Sequence, residues 1–180
     1  MKVESIPFLL KQIHSCLDKG ENVAAFYMAL TLPDVCGKID FPEDKPSERY
    51  IKWFDLHIGD YEQSPLAKED EEWAKLPYMN GNNLYKIRCG LLHAGTNDFG
   101  DQLNLNDFLF SWDGAIETAG IESDGNGNVK KYWRVDTRML TNKIVWTVEG
   151  LIRKGFYKDK EMPVFNEYGI DDIPDVYKVK

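Results

Sequence analysis

The segment ENVAAFYMALTLPD, at positions 21–34, is apolar on nearly every side from Val23 to Leu32. A helix of that pattern has no polar face to turn to solvent, so it must be covered on most sides. Pro33 ends it, and the rest of the chain has to supply its cover. Upstream, Ile6, Leu9, Leu10, Ile13 and Leu17 fall at helical spacing. Ser5 suits an N-cap, Pro7 a first turn, and Gly20 a stop. Residues 34–46 read as a loop. Ser47 then caps a third helix that carries Tyr50, Ile51, Trp53, Phe54 and Leu56. The charged run from Lys68 to Glu72 reads as a solvated loop or short helix. A fourth helix starts at Asn80 or Asn82 and closes at Gly95.

The pattern changes beyond residue 100. DFLFSW, GAIETAGIE and KKYWRV are short runs of β character, and Asn126-Gly127 lies between the last two. Both residues tolerate positive φ, which makes this a hairpin turn. A final helix, roughly 138–154, places Leu140, Ile144, Val145, Val148, Leu151 and Ile152 on its apolar side. The fold class is therefore α+β, mainly α: a helical bundle of about five helices with an inserted antiparallel β-hairpin. One domain covers residues 1–180. Its bundle lies at about 4–95 and 138–154, and its hairpin at about 107–136. An irregular tail, 159–180, packs through Val164, Phe165 and Tyr168.

At 180 residues and 43% hydrophobic content the chain can build a real core. Its net charge of −8 argues against broad, non-specific nucleic-acid binding. Any contact with RNA has to be made through a local basic patch. Cys16, Cys36 and Cys89 are odd in number and form no CxxC pair. They read as reduced thiols, which points to a cytoplasmic location. The N-terminal segment has no h-region of a signal peptide, and no apolar stretch is long enough to span a membrane.

Arg88 and His93 stand out as candidate chemistry. They lie five positions apart in LYKIRCGLLHAG, and an ideal α-helix separates such a pair by about 140°. Gly90 between them, the nearness of the helix end, and the length of the arginine all soften that separation. Two copies of the helix meeting across a two-fold axis would also pool the side chains. The structural reading is a salt-bridged Arg88, paired with Asp34 or Glu48, and a buried His93. Cys89 and His93 share a face at i, i+4, but no further motif completes a metal or thiol site. No metal and no cofactor is expected. The run Asp124, Asn126, Asn128 fits a calcium loop only if Gly stands at 129 and Glu at 135. The chain has Val129 and Val135, so the run reads as a hairpin turn. In KKYWRV, Lys130, Tyr132 and Arg134 share one strand face. Alternating bases and aromatics suit single-stranded RNA, and they suit better still a half-buried strand with a solvated basic side.

The string LYKIRCGLLHAG resembles the signature of the HEPN superfamily, in which an Arg is followed by a His after four to six residues on a helix. The pattern LYxxRxxLLHxG is closest to its Apea-like and abortive-infection branches. The resemblance covers about a dozen residues, Leu84, Tyr85, Leu91, Leu92 and Gly95 among them, and extends more weakly to the flanking helices. It implies a homodimeric, metal-independent endoribonuclease of a toxin or phage-defence kind, in some systems held by an antitoxin or another regulatory protein. Arg88 would bind the scissile phosphate and His93 would act as general acid and base. Those residue types fit the chemistry, since imidazole titrates near neutral pH and guanidinium grips phosphate without losing its proton. The chain departs from active members in carrying Cys89 where many have Asn, Asp or His. That departure and the acidity favour the alternative, a non-catalytic HEPN-like module for dimerisation or partner binding.

Overall fold

The computed structural model describes residues 2–69, 71–95, 99–112, 117–123 and 129–166. The architecture is α+β and mainly α, as the pattern predicts. The chain opens with β1 (Lys2–Glu4), α1 (Ser5–Asp18), α2 (Asn22–Ala29) and α3 (Leu32–Asp40). α4 (Pro46–Phe54) runs on through a π-turn (Asp55–Gly59) into the short helix Asp60–Glu62. α5 (Gly81–Cys89) ends in a second π-turn (Gly90–Ala94). Then come β2 (Asp107–Ser111), β3 (Thr118–Ser123), β4 (Val129–Asp136), α6 (Thr137–Arg153) and β5 (Val164–Asn166).

Proline placement corrects the first reading of the N-terminal half. Pro33 does not end a long helix: it sits in the first turn of α3, where its missing N–H has no intrahelical role. The break falls before it, at Leu30 and Thr31, so residues 32–40 are helix and not loop. α2 packs against α1 and α6, yet it is not covered all round, and Val23 is 49% exposed. Pro46 likewise opens α4. Glu48 reaches back to the Lys45 N–H at 3.4 Å, so Ser47 is not the cap. Ser5 is not a cap either. It is the first residue of α1 and is buried, and its N–H donates to the Pro163 carbonyl at 2.9 Å.

The core is one continuous cluster. Ile6 and Ile13, Phe26, Trp53 and Phe54, Leu84 and Ile87, and Ile144, Val145 and Val148 are all fully buried. α6 starts where the helical period predicts. The Asp136 carboxylate accepts from the N–H groups of Arg138 and Met139 at 2.9 and 3.0 Å, an N-cap built from the last strand residue. Thr137 Oγ1 donates to the Ser111 carbonyl at 2.7 Å and ties this joint to β2.

The inserted β element is larger than a hairpin. β3 and β4 pair antiparallel, with Ser123 opposite Val129, as expected. The Asn126-Gly127 turn itself lies outside the described residues. β2 adds to the other edge of β4 in parallel, giving a mixed sheet of order β2-β4-β3. The tail is also more regular than its sequence: β5 pairs antiparallel with β1, and Phe165 meets Phe8 edge-on at 5.6 Å. Tyr168 lies outside the described residues. Among the described residues no helix is long and apolar enough to cross a membrane.

Candidate functional site

α5 is positioned from both of its sides. Asn80 Oδ1 accepts from the Asn83 N–H at 2.8 Å, the expected N-cap. The Gly81 N–H donates to Asp55 Oδ1 at 2.5 Å, fixing the start of α5 to the first π-turn. Burial raises the Asp55 pKa, and this bond from Gly81 works against the rise. Leu84, Ile87 and Leu91 then face the core.

After Cys89 the helix widens. The Gly95 N–H bonds the Gly90 carbonyl, five residues back, and Gly95 ends the helix in the left-handed region at φ 63°. A Cβ on Gly90 would overlap the Phe99 ring, so this position holds the widened turn against the core only because it lacks one. The wider turn brings together residues five apart, which an α-helix would separate. Arg88 Nη1 lies 2.5 Å from His93 Nε2 within a single chain. Arg88 is half-buried and His93 is exposed. Guanidinium only donates, so Nε2 is the acceptor and the imidazole proton sits on Nδ1. Arg88 Nε is buried without any acceptor.

Two tyrosines back the pair. Tyr50 and Tyr85 meet edge-on at 5.4 Å, and the Tyr50 hydroxyl donates to the Leu30 carbonyl at 3.0 Å. Burial raises both phenols, and the nearby Arg88 charge opposes the rise. The neighbouring Cys89 thiol adds to the rise at Tyr85. The expected salt bridge of Arg88 with Asp34 or Glu48 is not what forms. Asp34 Oδ1 is taken by Arg49, through Nε at 3.1 Å and Nη2 at 2.9 Å, and Glu48 caps α4. His93 is at the surface and not inside the bundle.

The basic strand behaves as its alternation predicts. Trp133 and Val135 are buried, Lys130 and Arg134 are exposed, and Tyr132 is half-buried with its ring over Gly120. Trp133 meets Phe108 at 5.8 Å and Phe108 meets Phe99 at 5.6 Å, the ring that seats Gly90. Lys130, Tyr132 and Arg134 therefore project from the outer side of a strand whose inner side packs through to the second π-turn.

A polar cluster that the sequence did not signal surrounds His57. Asp40 accepts from Lys160 Nζ at 2.7 Å and from the Tyr157 hydroxyl at 3.5 Å, and Trp53 Nε1 donates to that hydroxyl at 3.2 Å. His57 Nε2 is buried, has no partner, and stops 4.0 Å short of Asp40 Oδ2. Burial lowers the His57 pKa and pushes the Cys36 thiol up to about 12, so both groups are neutral at pH 7. Among the described residues no group of three or more His, Cys, Asp or Glu is placed to hold a metal ion. No protein-family model, curated protein or solved structure matches this chain.

Proposed function

We propose that the chain is a HEPN-type, metal-independent endoribonuclease of a toxin or phage-defence kind, with Arg88 and His93 as its catalytic pair. One observation carries this reading: the 2.5 Å contact between the two side chains, made by a widened helix end and open to solvent at His93. The chemistry follows from the atoms. His93 Nε2 presents a lone pair and takes the proton of a ribose 2′-OH. The 2′ oxygen attacks phosphorus, the bond to the 5′ oxygen breaks, and a 2′,3′-cyclic phosphate remains. In a two-fold homodimer, a protonated His93 of the partner subunit gives its proton to the leaving oxygen, and exchange with water then resets both imidazoles. Arg88 exchanges its bond to His93 for the phosphate and stabilises the charge that builds on it. Its Nη1 sits against the exposed His93, where an arriving phosphate oxygen takes the place of the imidazole as acceptor. Lys130, Tyr132 and Arg134 hold the flanking single-stranded RNA.

Cys89 supports a second reading, a non-catalytic HEPN-like module for dimerisation or for docking an antitoxin or regulatory protein. Its thiol stands next to Arg88 where the resemblance would lead one to expect Asn, Asp or His. Incubating a mixed single-stranded RNA pool with protein in EDTA separates the two, run beside Arg88→Ala and His93→Ala. The nuclease predicts cyclic-phosphate ends from the parent alone. Equal cutting by His93→Ala removes His93 from the chemistry. No cutting by any of the three, with a dimer in solution, favours the module.

A further inference from the structure

Two large aromatic side chains stand in solvent on the side of the molecule that carries the first π-turn. Trp146 on α6 is 60% exposed, and Tyr61, just beyond the π-turn, is 79% exposed. Single exposed apolar residues are ordinary, but these two line the same cleft, of about 390 Å³. His57, Ile58, Glu62, Lys143 and Thr147 complete its wall. The cleft is shallow and open to solvent, with aromatic side chains and a few polar groups along it, so it can take a flat ring on one of its faces.

The charges of the cleft select the class of ligand. Lys143 Nζ and Glu62 Oε2 are 2.6 Å apart, so each already cancels the other. Both belong to the wall and are partly shielded from water. His57 adds no charge, since burial holds its imidazole neutral. Among the lining residues an anion would find no unpaired ammonium, and a cation no unpaired carboxylate. An uncharged planar ring stacks on indole and phenol faces without disturbing the ion pair. The outer lone pairs of Glu62, the remaining N–H groups of Lys143 and the Thr147 hydroxyl offer an acceptor and donors to its edge.

We propose that the cleft between Tyr61 and Trp146 binds an uncharged planar heteroaromatic ring that carries both donors and acceptors on its edge. This site is separate from Arg88 and His93, and its occupancy does not depend on RNA cleavage. It also accounts for an indole kept at the surface of a chain that buries Trp53 and Trp133 completely.

Two-dimensional ¹H–¹⁵N NMR tests it. The Trp146 indole N–H is assigned by its disappearance in Trp146→Phe, and the parent is titrated with adenosine, then with inorganic phosphate. Adenosine shifts the Trp146 indole and phosphate does not. Trp146→Ala and Tyr61→Ala each weaken adenosine binding, roughly ten-fold for the loss of one stacking face. Both side chains are exposed, so the variants keep the parent's dispersed spectrum. Arg88→Ala binds adenosine like the parent. An unmoved Trp146 indole overturns the proposal, and so does binding that survives both alanine variants. A parent dimer that Trp146→Ala converts to monomer, with adenosine inert, also overturns it and makes this face a protein interface.

Discussion

At Asp55–Gly59 a helix widens inside the bundle; at Gly90–Ala94 another widens at its own end. The backbone device is the same. The Asp60 N–H bonds the Asp55 carbonyl, and the Gly95 N–H bonds the Gly90 carbonyl. Each turn sets a histidine against a charged group, and each leaves one buried nitrogen without a partner, His57 Nε2 in the first and Arg88 Nε in the second. The two resolve that cost differently. His57 is an imidazole and stays neutral, so its environment is quiet, with Asp40 already claimed by Lys160 and Tyr157. Arg88 has no neutral form to fall back on, and its one hydrogen-bond partner among the described residues is an exposed side chain. In the first arrangement the acidic partner, Asp40, is already satisfied from within the fold. The second pairs a half-buried guanidinium with an exposed imidazole and leaves its Nε without an acceptor among the described residues.

Removing Asp40 should do the largest damage. Asp40→Ala takes the carboxylate from the Lys160 ammonium and the acceptor from the Tyr157 hydroxyl, which keeps the Trp53 N–H bond, at a place where the Asp40 side chain is 6% exposed. Breaking a buried pair costs about 3–5 kcal/mol, and the partial exposure of Lys160 places this one near the lower end. Urea unfolding should show the loss as a lower midpoint with an unchanged slope. RNA cleavage at a temperature where the variant is folded should not change. Next comes Gly90→Ala, which forces a methyl into the Phe99 ring. Overpacking of that kind costs about 1–3 kcal/mol. Here it should also unwind the π-turn, so Gly90→Ala should lose both stability and any Arg88–His93 activity. Asp40→Ala should lose only the first.

The histidines separate the turns by pH. His57 has a lower pKa folded than unfolded, because burial penalises its charged form. Below the unfolded value of about 6.5 the unfolded chain binds the proton that the fold refuses. Stability contributed by neutral His57 is thus full above that value and is lost as pH falls through its folded value. The groups facing the imidazole act in opposite senses, Asp40 favouring its protonation and Lys160 opposing it. Asp55 and Glu117, both raised by burial, have the reverse sign and act lower, in the carboxylate range. Unfolding free energies measured between about pH 5.5 and 7.5 should fall toward acid in the parent and flatten in His57→Gln. A slope that survives His57→Gln would assign the effect elsewhere.

The contrast also marks how far sequence patterns reach. Apolar periodicity places α1, α5 and α6 well, because burial of one helix face is a local property of spacing. Asn80 and Gly95 mark the ends of α5 because caps are local chemistry too. Pro33 and Pro46 mislead, since a proline that stops one helix equally well starts the next. The parallel pairing of β2 with β4 depends on contacts between distant segments, as does the strand formed by Val164–Asn166. Within the candidate site, Arg88 and His93 are legible as residue types, while their meeting is not. Ideal helical geometry sets them apart, and only the packing of Phe99 on Gly90 shows why the turn widens there. The Asp40–His57–Lys160 cluster gathers residues 17 to 120 positions apart and leaves no trace in any single stretch.

The smallest expected change in stability is the most telling for function. His93 is exposed and its side chain supports nothing in the core, so His93→Ala should leave the unfolding midpoint within about 0.5 kcal/mol of the parent. Arg88→Met keeps much of the buried stem and removes the orphaned Nε donor. Leaving a buried donor unsatisfied costs about 1–3 kcal/mol, and taking it away returns part of that cost. Arg88→Met should therefore be as stable as the parent or slightly more so, while both variants lose RNA cleavage. That outcome would favour a functional role for the pair over a structural one. If Arg88→Met unfolded as readily as Asp40→Ala, the second π-turn would be structural like the first. The Arg88–His93 contact would then be a strut.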